Sequence, residues 1–165
     1  MSNICPVPER LIYARLGSDA SGTLVPTGTA YNTKLAFQSI IKDTHGAIAD
    51  LANSRLLVPA GYKYVRVTAV AAHAGNAVGY RACRCYQGRG AVPKLTNRAN
   101  MRLLSADGVV TTNPSIDTGW LEIDGSPVGI QVGDYFTLYP AQTSGIDLLV
   151  GVDSASTWMQ IEFRK

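Results

Sequence analysis

Residues 56 to 72 read Leu56-Leu57-Val58-Pro59-Ala60-Gly61-Tyr62-Lys63-Tyr64-Val65-Arg66-Val67-Thr68-Ala69-Val70-Ala71-Ala72 and form the longest strand-like run of the chain. Proline fixes φ and has no N–H to donate to a β-ladder, so the break at Pro59 separates two extended segments. After the break, apolar residues alternate with other types, which is the period of two of a strand. We expect a central strand of an antiparallel sandwich.

The two faces of this predicted strand differ in chemistry. Small apolar side chains occupy one face: Val65, Val67, Ala69 and Ala71. The other face carries Tyr62, Tyr64, Arg66 and Thr68. The first face suits a protein core. The second is aromatic and charged, and we expect it to contact something other than bulk water.

Composition indicates one all-β domain. A chain of 165 residues is long enough to bury a substantial core without metal or disulfide support. Sixteen glycines, eight prolines and a charged fraction of only 16% predict short strands joined by many turns. The low charge also favours apolar contacts between subunits, so we expect an oligomer.

Charge and hydropathy exclude two classes of partner. The formal net charge of +3 is small and scattered, whereas a nucleic-acid footprint gathers Lys and Arg on one stripe. No segment approaches the roughly 20 apolar residues of a membrane span. The polar, proline-containing start lacks the apolar core of a signal peptide, so we expect synthesis in a cytoplasm.

The cysteines are Cys5, Cys83 and Cys85, an odd number without a useful disulfide spacing. Cys83 and Cys85 are two residues apart, so they share one face of a strand and rarely bridge. We expect free structural thiols. A disulfide from Cys5 and a metal site are the alternatives.

The chain divides into an extended arm, residues 1–12, and a single domain, residues 13–165. Pro6 and Pro8 stiffen the arm and disfavour a helix or a central strand. Such an arm either frays or docks on a neighbour.

Several further segments receive specific predictions. We predict strands over residues 33–41, 100–105 and 116–123. Residues 73–76 are predicted to form a hairpin turn that leads into a return strand over residues 77–86. Residues 87–90 read as a turn. Residues 47–52 fit either a helical turn or an edge strand. Near the end of the chain, alternation turns Met159, Ile161 and Phe163 inward.

Few residues of the sequence are arranged in a way that suits a catalytic site. Asp43 lies close in sequence to His45, but no nucleophile has an activating context, and His45 and His73 read as solvent-facing or turn residues. Five aspartates lie beside turns and suit local hydrogen bonds: Asp117, Asp124, Asp134, Asp147 and Asp153. A calcium site from two of them is the alternative. We expect no enzyme activity, no metal and no cofactor.

Three segments carry a resemblance to the C1q/TNF-like domains over residues 31–165. Residues 130–138 are similar to the late "Leu-x-x-Gly-Asp-x-Val-x-Leu" motif, and residues 56–62 to the "Phe-x-Val-Pro-x-x-Gly-x-Tyr" entry to the central strand. Residues 157–163 resemble the terminal strand. Departures from the family pattern are Lys63, where Tyr is usual, and Trp158, where Phe is common.

The resemblance implies a ten-stranded jelly roll that assembles as a homotrimer, with one sheet facing the three-fold axis. The interface residues expected on this basis are Tyr62, Tyr64, Arg66, Tyr135 and Trp158.

The chain shows no collagen-like stalk, signal peptide or membrane anchor, and in this it resembles the C1q/TNF-like modules of bacteriophage particles. We therefore expect a virion protein that decorates the capsid and contacts the major capsid protein or another virion protein. Attachment is expected through Ile4, Pro6, Val7, Pro8 and Arg10 of the arm. The alternative is a fibre-tip module that binds a host receptor or glycan.

Overall fold

The computed structural model describes residues 11–19, 21–76, 78–104, 113–151 and 156–165. These residues form strands, turns and irregular segments, and none of them is helical. No membrane-spanning helix is therefore found in this part of the chain. The strands make two sheets and one additional strand pair. This all-β sandwich confirms the predicted fold class.

The described residues form thirteen strands. Their bounds are β1 Ile12–Gly17, β2 Thr23–Val25, β3 Ser39–Asp43, β4 Ala49–Asp50, β5 Arg55–Leu57, β6 Tyr64–Val70, β7 Tyr80–Arg89, β8 Val92–Leu104, β9 Ser115–Asp117, β10 Leu121–Glu122, β11 Tyr135–Gln142, β12 Leu148–Val150 and β13 Trp158–Arg164. Every pairing between these strands is antiparallel.

The larger sheet has the order β10-β6-β13-β1-β3, and β9 also pairs with β6. The segment that contains Pro59 separates β5 from β6, as the sequence predicts. Strand β6 has partners on both edges, β13 along its whole length and β9 and β10 opposite. It is therefore an interior strand of its sheet.

Strands β1 and β13 lie side by side, with Ile12 opposite Phe163 and Gly17 opposite Trp158. Ile12 was assigned to the arm from the sequence, but it is the first residue of β1. The reason is that the side chain of Ile12 packs against the core and its backbone extends the β1–β13 ladder to Phe163.

The smaller sheet has the order β4-β5-β11-β7-β8. Strand β11 lies at its centre and is buried along its whole length. Strands β2 and β12 form a separate pair, which bridges to the rest of the sandwich through Gln142 and His73.

Apolar side chains from both sheets fill the space between them. The core face of β6 is formed by Val65, Val67 and Ala69, and Met159, Ile161 and Phe163 of β13 point the same way, as predicted. The smaller sheet contributes Leu56, Cys83, Cys85, Phe136 and Leu138. This burial is the main stabilising contribution, at about 25 cal/mol per Å² of apolar surface removed from water.

The predicted hairpin at residues 73–76 is wrong. Strands β6 and β7 belong to different sheets, so this segment crosses from one sheet to the other. Both edges of β6 are already paired, which leaves no edge for β7 to join. His73 was expected to face solvent or to lie in a turn, but it is only 3% exposed and forms a bridge with Val150.

The predicted turn at residues 87–90 is displaced, because β7 continues through Arg89 and the chain turns at Gly90 and Ala91. Residues 47–52 contain the short strand β4 and a turn, so the strand alternative applies. The predicted strand at 100–105 begins earlier, since β8 starts at Val92.

Two other predicted strands are shorter than expected. Over residues 33–41 the regular strand starts only at Ser39, although Leu35 and Phe37 are buried in the core. Residues 116–123 divide into β9 and β10, because Gly119 adopts a positive φ of 65° that ends the extended backbone between them.

Candidate functional site

The outer face of the larger sheet is the surface that points away from the core. On β6 it carries Tyr64, Arg66, Thr68 and Val70, and on β13 it carries Trp158, Gln160, Glu162 and Arg164. Tyr13 and Arg15 of β1 lie beside Glu162 and Gln160. Most of these side chains are only half-buried, so the face presents aromatic and charged groups together.

A bidentate ion pair lies at the edge of this face. Arg66 donates from Nε to Asp117 Oδ1 at 2.9 Å, and its Nη2 group contacts the other carboxylate oxygen. These hydrogen bonds hold the pKa of Asp117 below its ordinary value. Gln160 donates to Glu162 at 2.7 Å on the neighbouring strand. The acidic groups are thus oriented by adjacent donors.

Two arginines stack on tryptophan rings of the same face. The guanidinium of Arg15 lies 4.2 Å from the ring centroid of Trp158, and that of Arg164 lies 3.9 Å from Trp120. Arg15 Nε is buried and has no hydrogen-bond partner among the described residues. Its burial lowers the pKa of Arg15. A buried donor of this kind gains free energy if a second surface supplies an acceptor.

The structure brings together three of the five residues predicted for the trimer interface: Tyr64, Arg66 and Trp158 all lie on the outer face of the larger sheet. Tyr64 is 40% exposed. Tyr62 lies before the start of β6 and packs toward the core, with its ring centroid 5.2 Å from that of Phe163.

Tyr135 belongs to the other sheet. It is 5% exposed, and its hydroxyl lies 3.2 Å from the carbonyl oxygen of Gly90 and 3.3 Å from that of Val92. Arg55 covers its ring at 4.6 Å. Tyr135 therefore does not share a surface with Tyr64. The attachment residues predicted in the arm, Ile4, Pro6, Val7, Pro8 and Arg10, lie outside the described residues.

The residues considered for catalysis have structural contacts. Asp43 accepts four backbone N–H groups, from His45, Gly46, Ile48 and Ala49. Burial would raise the pKa of Asp43, but these hydrogen bonds hold it below its ordinary value. His73 directs Nδ1 to the carbonyl oxygen of Ala71 at 3.0 Å. In the described ranges, no three His, Cys, Asp or Glu side chains converge as metal ligands.

The outer face of the smaller sheet is a second candidate surface, which sequence reasoning missed. We call it the tyrosine-cation face. Its members are Tyr31, Tyr80, Tyr86, Tyr135, Tyr139, Arg55, Arg84, Lys94 and Arg102. The alternation of Tyr80, Arg84 and Tyr86 in β7 was a visible signal. The contributions of Tyr31, Lys94 and Arg102 come from other segments and had no local signal.

Comparison with known proteins gives a fold assignment. No protein-family model matches the chain, and no curated protein matches it by sequence. Among solved structures, the Eiger TNF of S. frugiperda superposes with a TM-score of 0.67 at 8% identity, covering 95% of this chain and 94% of that one. Murine APRIL superposes with a TM-score of 0.61 at 7% identity, covering 93% and 99%. The chain therefore has the TNF-like jelly-roll fold.

Proposed function

We propose that this protein is a non-enzymatic structural protein of a virus particle, which assembles as a homotrimer and decorates the capsid. The observation that supports the trimer most directly is the chemistry of the outer face of the larger sheet. The TNF-like fold adds support, because the C1q/TNF-like resemblance implies a trimer with one sheet toward the axis.

The face is self-complementary in charge. It carries Arg15, Arg66 and Arg164 beside the carboxylates of Asp117 and Glu162. Copies related by a closed rotation can therefore place a cation of one subunit near an anion of the next. The exposed ring of Tyr64 supplies apolar surface of the kind enriched in interface cores.

A solution experiment tests the trimer. Light scattering at micromolar concentration is expected to give three times the 17.6 kDa mass of the chain. Tyr64→Glu places a carboxylate in the proposed interface and is expected to shift the protein toward monomer. The matched control is Val132→Glu, since Val132 is exposed in the loop that precedes β11 of the smaller sheet. A monomeric wild-type protein would contradict the proposal, and a trimeric Tyr64→Glu variant would exclude this face.

Particle decoration is tested separately. We expect the protein in purified particles at a fixed copy number, on the outer surface in electron micrographs. Deleting residues 2–10 is expected to leave the trimer intact and to abolish binding to particles that lack the protein. If the deletion abolishes the trimer, the arm belongs to the oligomer interface. If decoration is unimpaired, attachment lies on the jelly roll itself.

A further inference from the structure

We propose that the tyrosine-cation face of the smaller sheet binds an acidic polysaccharide, with Arg84, Lys94 and Arg102 contacting its carboxylates. This face lies on the side of the sandwich opposite the proposed trimer interface. The inference goes beyond the proposed function and does not depend on it.

The face has an excess of positive charge. Among the described residues, the carboxylate on this face is that of Asp50, which pairs with Arg55 at 2.6 Å. Arg84, Lys94 and Arg102 form no ion pair with any carboxylate of the described residues. On the outer face of the larger sheet, the carboxylates of Asp117 and Glu162 lie among the arginines, and Asp117 is paired with Arg66. The larger sheet therefore offsets more of its positive charge, and an anionic ligand complements the smaller sheet better.

The cations are held in place by tyrosine residues. Arg84 stacks on Tyr31 at 3.9 Å, and its Nη1 lies 3.3 Å from the hydroxyl of Tyr86. The Nζ of Lys94 lies 4.5 Å from the ring centroid of Tyr139 and donates to the backbone carbonyl of Tyr31. Side chains that are already ordered lose less conformational entropy when they bind a ligand.

The strand register places the three cations in a row. Arg84 lies opposite Asn100, and Arg102 lies two residues further along β8 on the same face. Diagonal neighbours of this kind are about 7 Å apart. Tyr31 contacts both Arg84 and Lys94, so Lys94 lies next to Arg84 on this face. Arg102 is stacked on Tyr80 at 3.8 Å and completes the row.

The same surface favours a sugar polymer over a nucleic acid. Tyr80 and Tyr139 are buried beneath the cations, so their rings are not free to stack on bases. Asn97 and Asn100 are exposed beside the row, and their amides can both donate to and accept from sugar hydroxyls. A chain of uronic acids offers carboxylates and hydroxyls together.

The test uses fluorescent polygalacturonate as the probe, with neutral dextran and single-stranded DNA as comparison polymers. Wild-type protein is expected to bind polygalacturonate in a salt-dependent manner and at least tenfold more tightly than DNA, and not to bind dextran. The variant Arg84→Gln, Lys94→Gln, Arg102→Gln is expected to lose at least tenfold in affinity. The control variant Lys42→Gln, Lys63→Gln, Lys165→Gln removes the same charge elsewhere and is expected to keep the wild-type affinity.

Three results would overturn the inference. They are no binding of polygalacturonate by the wild-type protein, an equal loss of affinity in the control variant, and tighter binding of DNA. If the triple variant fails to fold, Lys94→Met replaces it, because methionine is a flexible unbranched side chain that removes the charge over the Tyr139 ring. The Lys94→Met variant is expected to lose at least threefold in affinity, and an unchanged affinity would count against the site.

Discussion

Arg89 donates from Nε to a carboxylate oxygen of Asp134 at 2.6 Å, and Asp134 has no exposed surface. Gln87 contributes a second donor and the N–H of Gln131 a third, at 2.8 Å. Burial would raise the pKa of Asp134, but these donors hold it below its ordinary value. The end of β7 and the start of β11 are thus joined through one carboxylate.

The first prediction is that Asp134→Asn lowers the free energy of unfolding by about 3 kcal/mol, because an amide group replaces one acceptor and leaves buried donors unpaired. Denaturant unfolding measures the loss. Glu122→Gln is the matched control, since Glu122 is exposed, and it is expected to change stability by less than about 0.5 kcal/mol. Equal effects in the two variants would show that burial of Asp134 does not matter.

The second prediction concerns pH. Burial lowers the pKa of His73 from 6.5 to about 4, and the nearby Arg81 acts in the same direction. Because the pKa in the folded state is depressed, unfolding takes up a proton, and stability falls as the pH drops from 6.5 toward 4. The loss by pH 5 is about 2 kcal/mol.

Unfolding measured between pH 7 and pH 5 tests this effect. His73→Gln cannot ionise in this range and is expected to give a nearly flat profile, whatever its absolute stability. His45→Gln is the control, because His45 is exposed, and it is expected to keep the wild-type slope. A wild-type slope in the His73→Gln variant would assign the pH dependence to other groups.

The third prediction concerns Gly88. A Cβ atom at this position would lie 2.3 Å from the ring of Tyr135, which is closer than van der Waals contact permits. Gly88→Ala is therefore expected to cost about 2 kcal/mol through overpacking. In a Tyr135→Leu background the ring is gone, and the same substitution is expected to cost much less. A double-mutant cycle without coupling would contradict this steric account.

The fourth prediction concerns the thiols. Cys83 and Cys85 are free and fully buried, as the sequence predicts for structural thiols. Burial raises the pKa of Cys83 to about 12 and that of Cys85 further still. Both are expected to resist iodoacetamide in the native protein and to react in denaturant, as peptide mapping would show. Reductant is expected to leave the melting temperature unchanged. A drop of several degrees would instead indicate a native disulfide, because losing one costs about 2–5 kcal/mol.

Local alternation predicted the fold well. The faces of β6 and β13 follow directly from the period of two, and the break at Pro59 follows from the missing N–H. The connection at residues 73–76 could not be predicted in this way, because the choice between a hairpin and a sheet crossing depends on whether the edges of β6 are already occupied.

The candidate surfaces were only partly predictable for the same reason. Tyr64, Arg66 and Trp158 alternate with core residues on paired strands, so local pattern placed them on one face. Tyr135 follows the same alternation, but its strand belongs to the other sheet. The stacking of Arg84 on Tyr31 joins segments more than 50 residues apart, and no local pattern encodes such a contact.

The pairing of Ile12 with Phe163 places residues 11 and 165 at the same end of the sandwich, where Tyr64 pairs with Arg164. The β2–β12 pair lies at the opposite end, where the hydroxyl of Ser18 donates to the carbonyl oxygen of Gly151. A tether that joins the domain at residue 11 or residue 165 would therefore attach at this one end of the sandwich. The end that carries β2 and β12 would then point away from the tether, and the outer faces of both sheets would remain accessible.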